Sequence, residues 1–110
     1  MSENRLLKIN ELVRKYIDEI ILRDLQIKTG VFITIAKVDT SADFRYTQVF
    51  ISVFPEGEFN YAIKTLKKEL HFIQKELNRK LRTKPSPRVV FIEDFTELKA
   101  DKIEKLLKEL

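Results

Sequence analysis

The sequence predicts an α+β domain in which a small sheet is backed by helices, and three observations carry that prediction. Three stretches place apolar residues at helical spacing, and three others are rich in β-branched residues. They occur in the order helix, strand, strand, long helical segment, strand, helix. At 110 residues and 44% hydrophobic content, the chain can bury one core but not two, so residues 1–110 are expected to form a single domain.

The first helix is expected from Ser2 to Asp24, where Leu6, Ile9, Leu12, Val13, Tyr16, Ile17 and Ile20 share a face. Gly30 then marks a turn. Val31 to Thr40 and Arg45 to Phe54 read as strands joined by SADF, most simply an antiparallel pair. Val49, Ile51 and Val53 alternate cleanly, whereas apolar parity slips between Ile35 and Val38, as a bulge near Ala36 would require. Pro55, Glu56 and Gly57 end the hairpin. From Phe59 to Leu81 an apolar stripe (Phe59, Ile63, Leu66, Leu70, Ile73, Leu77 and Leu81) predicts a long helical segment, which Pro85 and Pro87 stop. Arg88 to Glu93 contains four consecutive apolar residues, the pattern of a strand covered on both faces or central in its sheet. Asp94 with Glu97 resembles a capping box, a structural role for Asp94, and Leu98, Ile103, Leu106, Leu107 and Leu110 line the last helix.

Phe72 is the exception within the long segment. It lies off the apolar stripe, beside His71, so a straight helix leaves its ring in water. A break near Leu70 and His71 would rotate Phe72 into the core and make it structural. The alternatives are an ordinary exposed Phe or a platform for base stacking.

Charge is the second message of this segment. Lys64, Lys68, His71, Lys75, Arg79 and Arg82 fall opposite the apolar stripe, so like charges stack along the helix and disfavour it slightly. From Lys64 to Arg88 there are nine Lys or Arg against two Glu, a local +7. The chain as a whole carries +4, which leaves −3 elsewhere. Charged faces are commonly just solvated, but basicity concentrated in this way suits a polyanion. The expected RNA contacts are Lys64, Lys68, His71, Lys75, Arg79, Arg82, Lys84 and Arg88, with Arg5, Lys8 and Lys15 on the first helix as a secondary set.

Composition narrows the remaining classes. There is no cysteine, hence no disulfide framework and no thiolate metal site or nucleophile. His71 is the only histidine and sits among lysines, with no carboxylate placed to orient it. Asp39 with Asp43, and Glu93 with Asp94, flank strand ends, where turn formation and capping account for them. Gly30 and Gly57 stand alone, so no glycine-rich phosphate loop exists. No apolar run approaches membrane-spanning length and no secretory core opens the chain. The expectation is a soluble, cytoplasmic binding protein without enzyme activity, metal, cofactor, small-molecule substrate or membrane partner.

Val38 to Val53, VDTSADFRYTQVFISV, resembles the signature of the bacterial ribosome-binding factor A family, a Val-x-Val-Ser-x-Asp-Leu-x-x-Ala-x-Val type of stretch. Thr40 or Ser41 takes the small hydroxyl position, Asp43 and Phe44 the Asp-Leu position, and Thr47 that of the alanine. Arg5, Ile9, Ile17 and Leu22 resemble the family's first helix, and Leu81, Arg82, Pro85, Phe91 and Asp94 its later run. The resemblance implies a type II KH-like domain (helix, two strands, two helices, strand) plus a C-terminal helix. It further implies a non-catalytic assembly factor that associates with free small (30S) ribosomal subunits. Such a factor supports late maturation and 5′-end processing of small-subunit (16S) rRNA, and members are linked to cold adaptation.

The sequence departs from the family at the turn between the paired helices. Glu69, Leu70 and His71 stand where the family has Ala-x-Gly, and Gln74 where many members have Arg. Asp43 and Phe44 are expected to set hairpin register, Asp43 by accepting hydrogen bonds in the turn and Phe44 by covering the sheet end. The partner expected is the small subunit and its rRNA, bound by a monomer. A generic KH-like RNA-binding module and a domain that dimerises through its apolar helical stripe are the alternatives.

Overall fold

A computed structural model describes residues 2–82 and 86–94, omitting the side chains of Ser2 and Glu3. The expected C-terminal helix, its capping partner Glu97 and the basic residue Lys84 lie outside the described residues. The elements are α1 (Ser2–Asp24), β1 (Phe32–Thr40), β2 (Tyr46–Phe54), α2 (Phe59–Lys68), α3 (Leu70–Leu81) and β3 (Arg88–Glu93), with one 3₁₀ turn at Glu56–Glu58. This is the α+β, type II KH-like order.

The sheet has the order β1-β2-β3, with β1 antiparallel and β3 parallel to β2. A parallel neighbour requires a crossover, which α2 and α3 supply. The parity slip in β1 is a bulge: Ile35 pairs with Ile51 and Lys37 with Phe50, leaving Ala36 without an opposite residue. Val38 and Thr40 are thereby returned to the same face as Ile35. The edge strand β1 is also engaged by α1. The Asn10 Oδ1 accepts from the Thr40 N–H at 3.0 Å, and the Arg14 guanidinium donates to the Ile35 carbonyl at 2.6 Å. Side chains thus occupy backbone groups that an exposed edge would offer to another strand.

All three helices cover one face of the sheet. Ile9, Val13, Ile17, Ile20 and Ile21 of α1, Ala62 and Leu66 of α2, and Ile73, Leu77 and Leu81 of α3 are buried. They meet Ile35, Val49, Ile51, Val53 and Val89. Within that layer Thr40 and Thr47 are buried polar neighbours on paired strands, and the Thr40 hydroxyl donates to Thr47 Oγ1 at 3.0 Å. Each removes the other's unsatisfied group. Lys80 of α3 reaches Glu19 of α1 at 3.3 Å and clamps the two helices together.

Two expectations are corrected. Among the described residues the strand Arg88–Glu93 is neither central nor covered on both faces. It forms the sheet edge opposite β1 among the described residues, and Val90 is 42% exposed. Its four apolar residues alternate between the helical layer and the open side. The long segment does break, at Glu69 (φ −93°, ψ 8°), yet Phe72 does not turn inward and remains 36% exposed. The Glu69 N–H donates to the Thr65 carbonyl as the last bond of α2, and the Ile73 N–H to the Glu69 carbonyl as the first of α3, so Glu69 is the joint between the two helices. Ala62 and Leu66 before that joint and Ile73, Leu77 and Leu81 after it are buried, and Phe72 lies outside the set.

Candidate nucleic-acid interface

The basic side chains follow from helix geometry. Because α2 and α3 bury Ala62, Leu66, Ile73, Leu77 and Leu81, the positions between them face solvent, and Lys64, Lys67, Lys68, His71, Lys75, Arg79 and Arg82 are all exposed. Their ion-pairing divides them. Arg79 is held by Glu76 at 2.7 Å, and Lys80 by Glu19. The Glu76 pairing raises the Arg79 pKa, and the Arg79 hydrogen bond lowers that of Glu76. Among the described residues, no carboxylate pairs with Lys64, Lys67, Lys68, Lys75, Arg82 or Arg88. Those six cations have the most charge to offer an incoming phosphate.

Of the secondary set, Lys15 joins this face. Its ammonium and that of Lys80 lie 5.9 and 5.7 Å from the Tyr16 ring centroid. Tyr16 also lines an open recess with Arg79, Lys80, Leu81 and Arg82. Arg5 goes elsewhere, standing over the Phe44 ring at 5.7 Å near the hairpin end, and Lys8 is exposed between the two along α1. The structure thus joins the end of α3 to the middle of α1 and leaves Arg5 with the hairpin.

The hairpin loop is tied by Ser41 and Asp43. The Ser41 hydroxyl donates to Asp43 Oδ1 at 2.6 Å and accepts the N–H groups of Arg45 and Tyr46. The Asp43 carboxylate also accepts the Arg45 N–H at 3.1 Å, and these bonds, the Ser41 bond first, lower its pKa. Phe44 adopts a left-handed φ of 60° and packs against the core margin. The Asp94 N–H donates to the Ile51 carbonyl at 2.8 Å, extending the β2–β3 pairing by one residue.

Sequence reasoning missed a clasp between α3 and β3. Gln74 donates to the Pro87 carbonyl at 3.0 Å and accepts the Val89 N–H at 2.8 Å, behaving as a peptide group added to the strand edge. Its amide also donates to Asn78 Oδ1 at 2.8 Å. The departure from the family at position 74 was the available signal. Beside the clasp lies an open groove of about 600 Å³, bounded by His71 and Asn78 on α3 and by Tyr46, Arg88 and Val90 on the sheet. Leu70 and His71 in the first turn of α3 form one corner of it. Among the described residues no cluster of acidic groups or histidine could hold a metal, and no helix is long and apolar enough to cross a membrane.

Fold and surface together define a class: a type II KH-like α+β domain whose helical layer presents a cationic, weakly ion-paired face beside an open groove. Residues 5–107 match the family model for ribosome-binding factor A. The chain is 34% identical over 111 residues to ribosome-binding factor A of Natranaerobius thermophilus, covering all of this chain and 85% of that one. It is 30% identical over 113 residues to the Clostridium perfringens protein of the same name, covering all of this chain and 97% of that one. The chain belongs to the ribosome-binding factor A family. A Thermotoga maritima structure assigned to ribosome-binding factor A superimposes with TM-score 0.67 at 28% identity, over 82% of this chain and 87% of that one. A Thermus thermophilus homology model, fitted into a map of a complex between the 30S subunit and ribosome-binding factor A, gives TM-score 0.66 at 21% identity. It covers 77% of this chain and 90% of its own and attests the shared fold.

Proposed function

We propose that this chain is a non-catalytic ribosome assembly factor of the cytoplasm that associates with free small subunits and supports late maturation and 5′-end processing of small-subunit rRNA. It does so by direct RNA binding through the α2–α3 face. Family membership supports the ribosomal partner. The observation that carries the RNA contact is the row of exposed cations at Lys64, Lys68, Lys75 and Arg82, joined by Arg88 at the groove, none of them ion-paired among the described residues. Unpaired cations gain most from a phosphate because no intramolecular bridge has to be given up. Counterion release makes such binding fall steeply with salt. His71 is at the groove corner, while Lys8 and Lys15 extend the face along α1.

The test is co-sedimentation of the full-length protein with isolated small subunits and with assembled ribosomes over a range of salt. The expected result is co-migration with free small subunits, with log affinity falling linearly in log salt. Lys68→Gln combined with Lys75→Gln should weaken association and flatten that line by about 0.7 to 0.9 per lost phosphate contact. Unchanged binding by that variant would remove the α2–α3 face. Equal affinity for unstructured RNA and for the subunit would favour a general RNA-binding module instead.

A further inference from the structure

The helical layer does not use the other side of the sheet, which the α3–β3 groove meets only at its Tyr46, Arg88 and Val90 wall. On the reading that this chain binds RNA, we propose that the open face carries a nucleobase site in which Tyr46 stacks against one unpaired base while Asp39 and Gln48 hold its edge.

Register builds the site. Asp39 pairs with Gln48 on β2, and Gln48 with Val90 on β3, forming one row across the three strands. Tyr46 and Arg88 form the next row, roughly 7 Å along the strands. Their neighbours Thr40, Thr47, Val49 and Val89 are buried under the helices, so strand alternation turns this set outward. Asp39, Ser41, Tyr46, Gln48 and Val90 line a recess of about 450 Å³, within the size range of small-ligand sites.

Each lining group has a function a base would use. Tyr46 is 53% exposed and Val90 42%, giving an aromatic face and an apolar wall. Scattered exposed apolar residues are ordinary, but these two share a concavity with polar side chains. Among the described residues, neither the Asp39 carboxylate nor the Gln48 amide has a hydrogen-bond partner. Ser41 anchors the Tyr46 and Arg45 N–H groups, so the rim is ordered before a ligand arrives. Arg88, exposed and without an ion pair among the described residues, stands beside Tyr46 to meet the adjoining phosphate.

The occupant follows from continuity and charge. Tyr46 and Val90 line both this recess and the α3–β3 groove, so a single strand leaving the groove passes directly onto the open face. Single-stranded RNA is read by stacking on aromatic side chains and by hydrogen bonds to base edges. A carboxylate only accepts hydrogen bonds, so Asp39 favours a base edge bearing an amino group. Adenine and cytosine satisfy it. Uracil presents one N–H between two carbonyls that oppose the carboxylate.

The experiment uses the full-length protein with single-stranded nonamers of A, C and U, read by amide chemical shifts and titrated affinity. Expected are shifts at Tyr46, Gln48 and Val90 with the A and C nonamers, and weaker binding of the U nonamer. Tyr46→Ala should lower affinity for the A nonamer about tenfold, and Tyr46→Phe should restore it. Asp39→Asn should bring the U nonamer to within about twofold of the A nonamer, removing the carboxylate's repulsion of its carbonyls. A thermal melt of each variant checks that folding is intact. Shifts confined to α2 and α3, with Tyr46→Ala at wild-type affinity, overturn the site while leaving small-subunit association standing. Weaker subunit association by Tyr46→Ala, without RNA-induced shifts on the open face, gives the surface to a ribosomal protein and also overturns it. Failure of the wild-type protein to travel with small subunits is a separate result that defeats the assembly-factor reading.

Discussion

Arg82 unites conformational strain and proposed function in one residue, so a single substitution should move stability and binding in opposite directions. It closes α3 with φ 56° and ψ 19°, the left-handed geometry in which glycine is preferred after a helix. A side chain in that region is disfavoured by about 1–2 kcal/mol. Glycine recovers that strain but makes the unfolded chain more flexible, which offsets about 0.5–1 kcal/mol. Arg82→Gly should therefore stabilise the fold by about 0.5–1 kcal/mol, because the side chain it deletes is exposed and makes no ion pair among the described residues. For a domain of this size the melting temperature should rise by about 2–4 °C. Association with small subunits should weaken, with the log–log salt slope flatter by about 0.7–0.9 if one phosphate contact is lost. Urea and thermal denaturation give the first quantity and sedimentation across salt the second. A lower melting temperature would refute the left-handed cap, and an unchanged salt slope would refute the phosphate contact.

Three further outcomes are expected. Phe72→Ala should change stability by less than about 1 kcal/mol in urea denaturation, against several for the fully buried Leu77→Ala, and equal large losses would return Phe72 to the core. Thr47→Val should lose about 1–3 kcal/mol by stranding the buried Thr40 hydroxyl, while Thr40→Val in the same chain should recover much of it; purely additive effects in this cycle would refute the hydroxyl pairing. The Asp43 carboxyl should titrate below the ordinary aspartate range by NMR, and Ser41→Ala should move its midpoint upward. Since its pKa is lowered by folding, its contribution to stability is present above the unfolded value and lost as pH falls through the folded one. A Ser41→Ala midpoint identical to wild type would show that the hydroxyl does not hold the carboxylate.

Much of this architecture is written locally. The period of Ile9, Val13, Ile17 and Ile20 can be satisfied only by a helix with one buried side, and α1 has the expected bounds Ser2–Asp24. The slip from Ile35 to Val38 exposed the bulge because alternation in a strand has no tolerance for an extra residue. The cationic face was equally legible, since it is the complement of the apolar stripe on the same helices. Asp43 and Ser41 could be placed in the turn because their bonds reach only two to five residues away.

Contacts between distant elements decided the rest. Four apolar residues at Val89 to Ile92 suggested a covered strand, but exposure depends on which strand lies beside it, and only the sheet order makes β3 an edge. Phe72 depended on how far the helix axis turns at Glu69, a rotation that side-chain type does not encode. Pairing between elements was likewise invisible: Lys80 resembled Lys68 and Lys75 in sequence until Glu19 and Tyr16 of α1 were brought against it, whereas the Arg79–Glu76 pair spans only three residues of α3. Gln74 acquires its role from Pro87 and Val89, thirteen and fifteen positions away, and Tyr46 meets Arg88, Asp39 and Val90 only where three strands and a bulge set their register. Sequence determined the elements and the charge of their faces, because periodicity and capping act within a few residues. Tertiary structure decided which charges remain free and which surfaces remain open, because burial and ion pairing belong to pairs of elements.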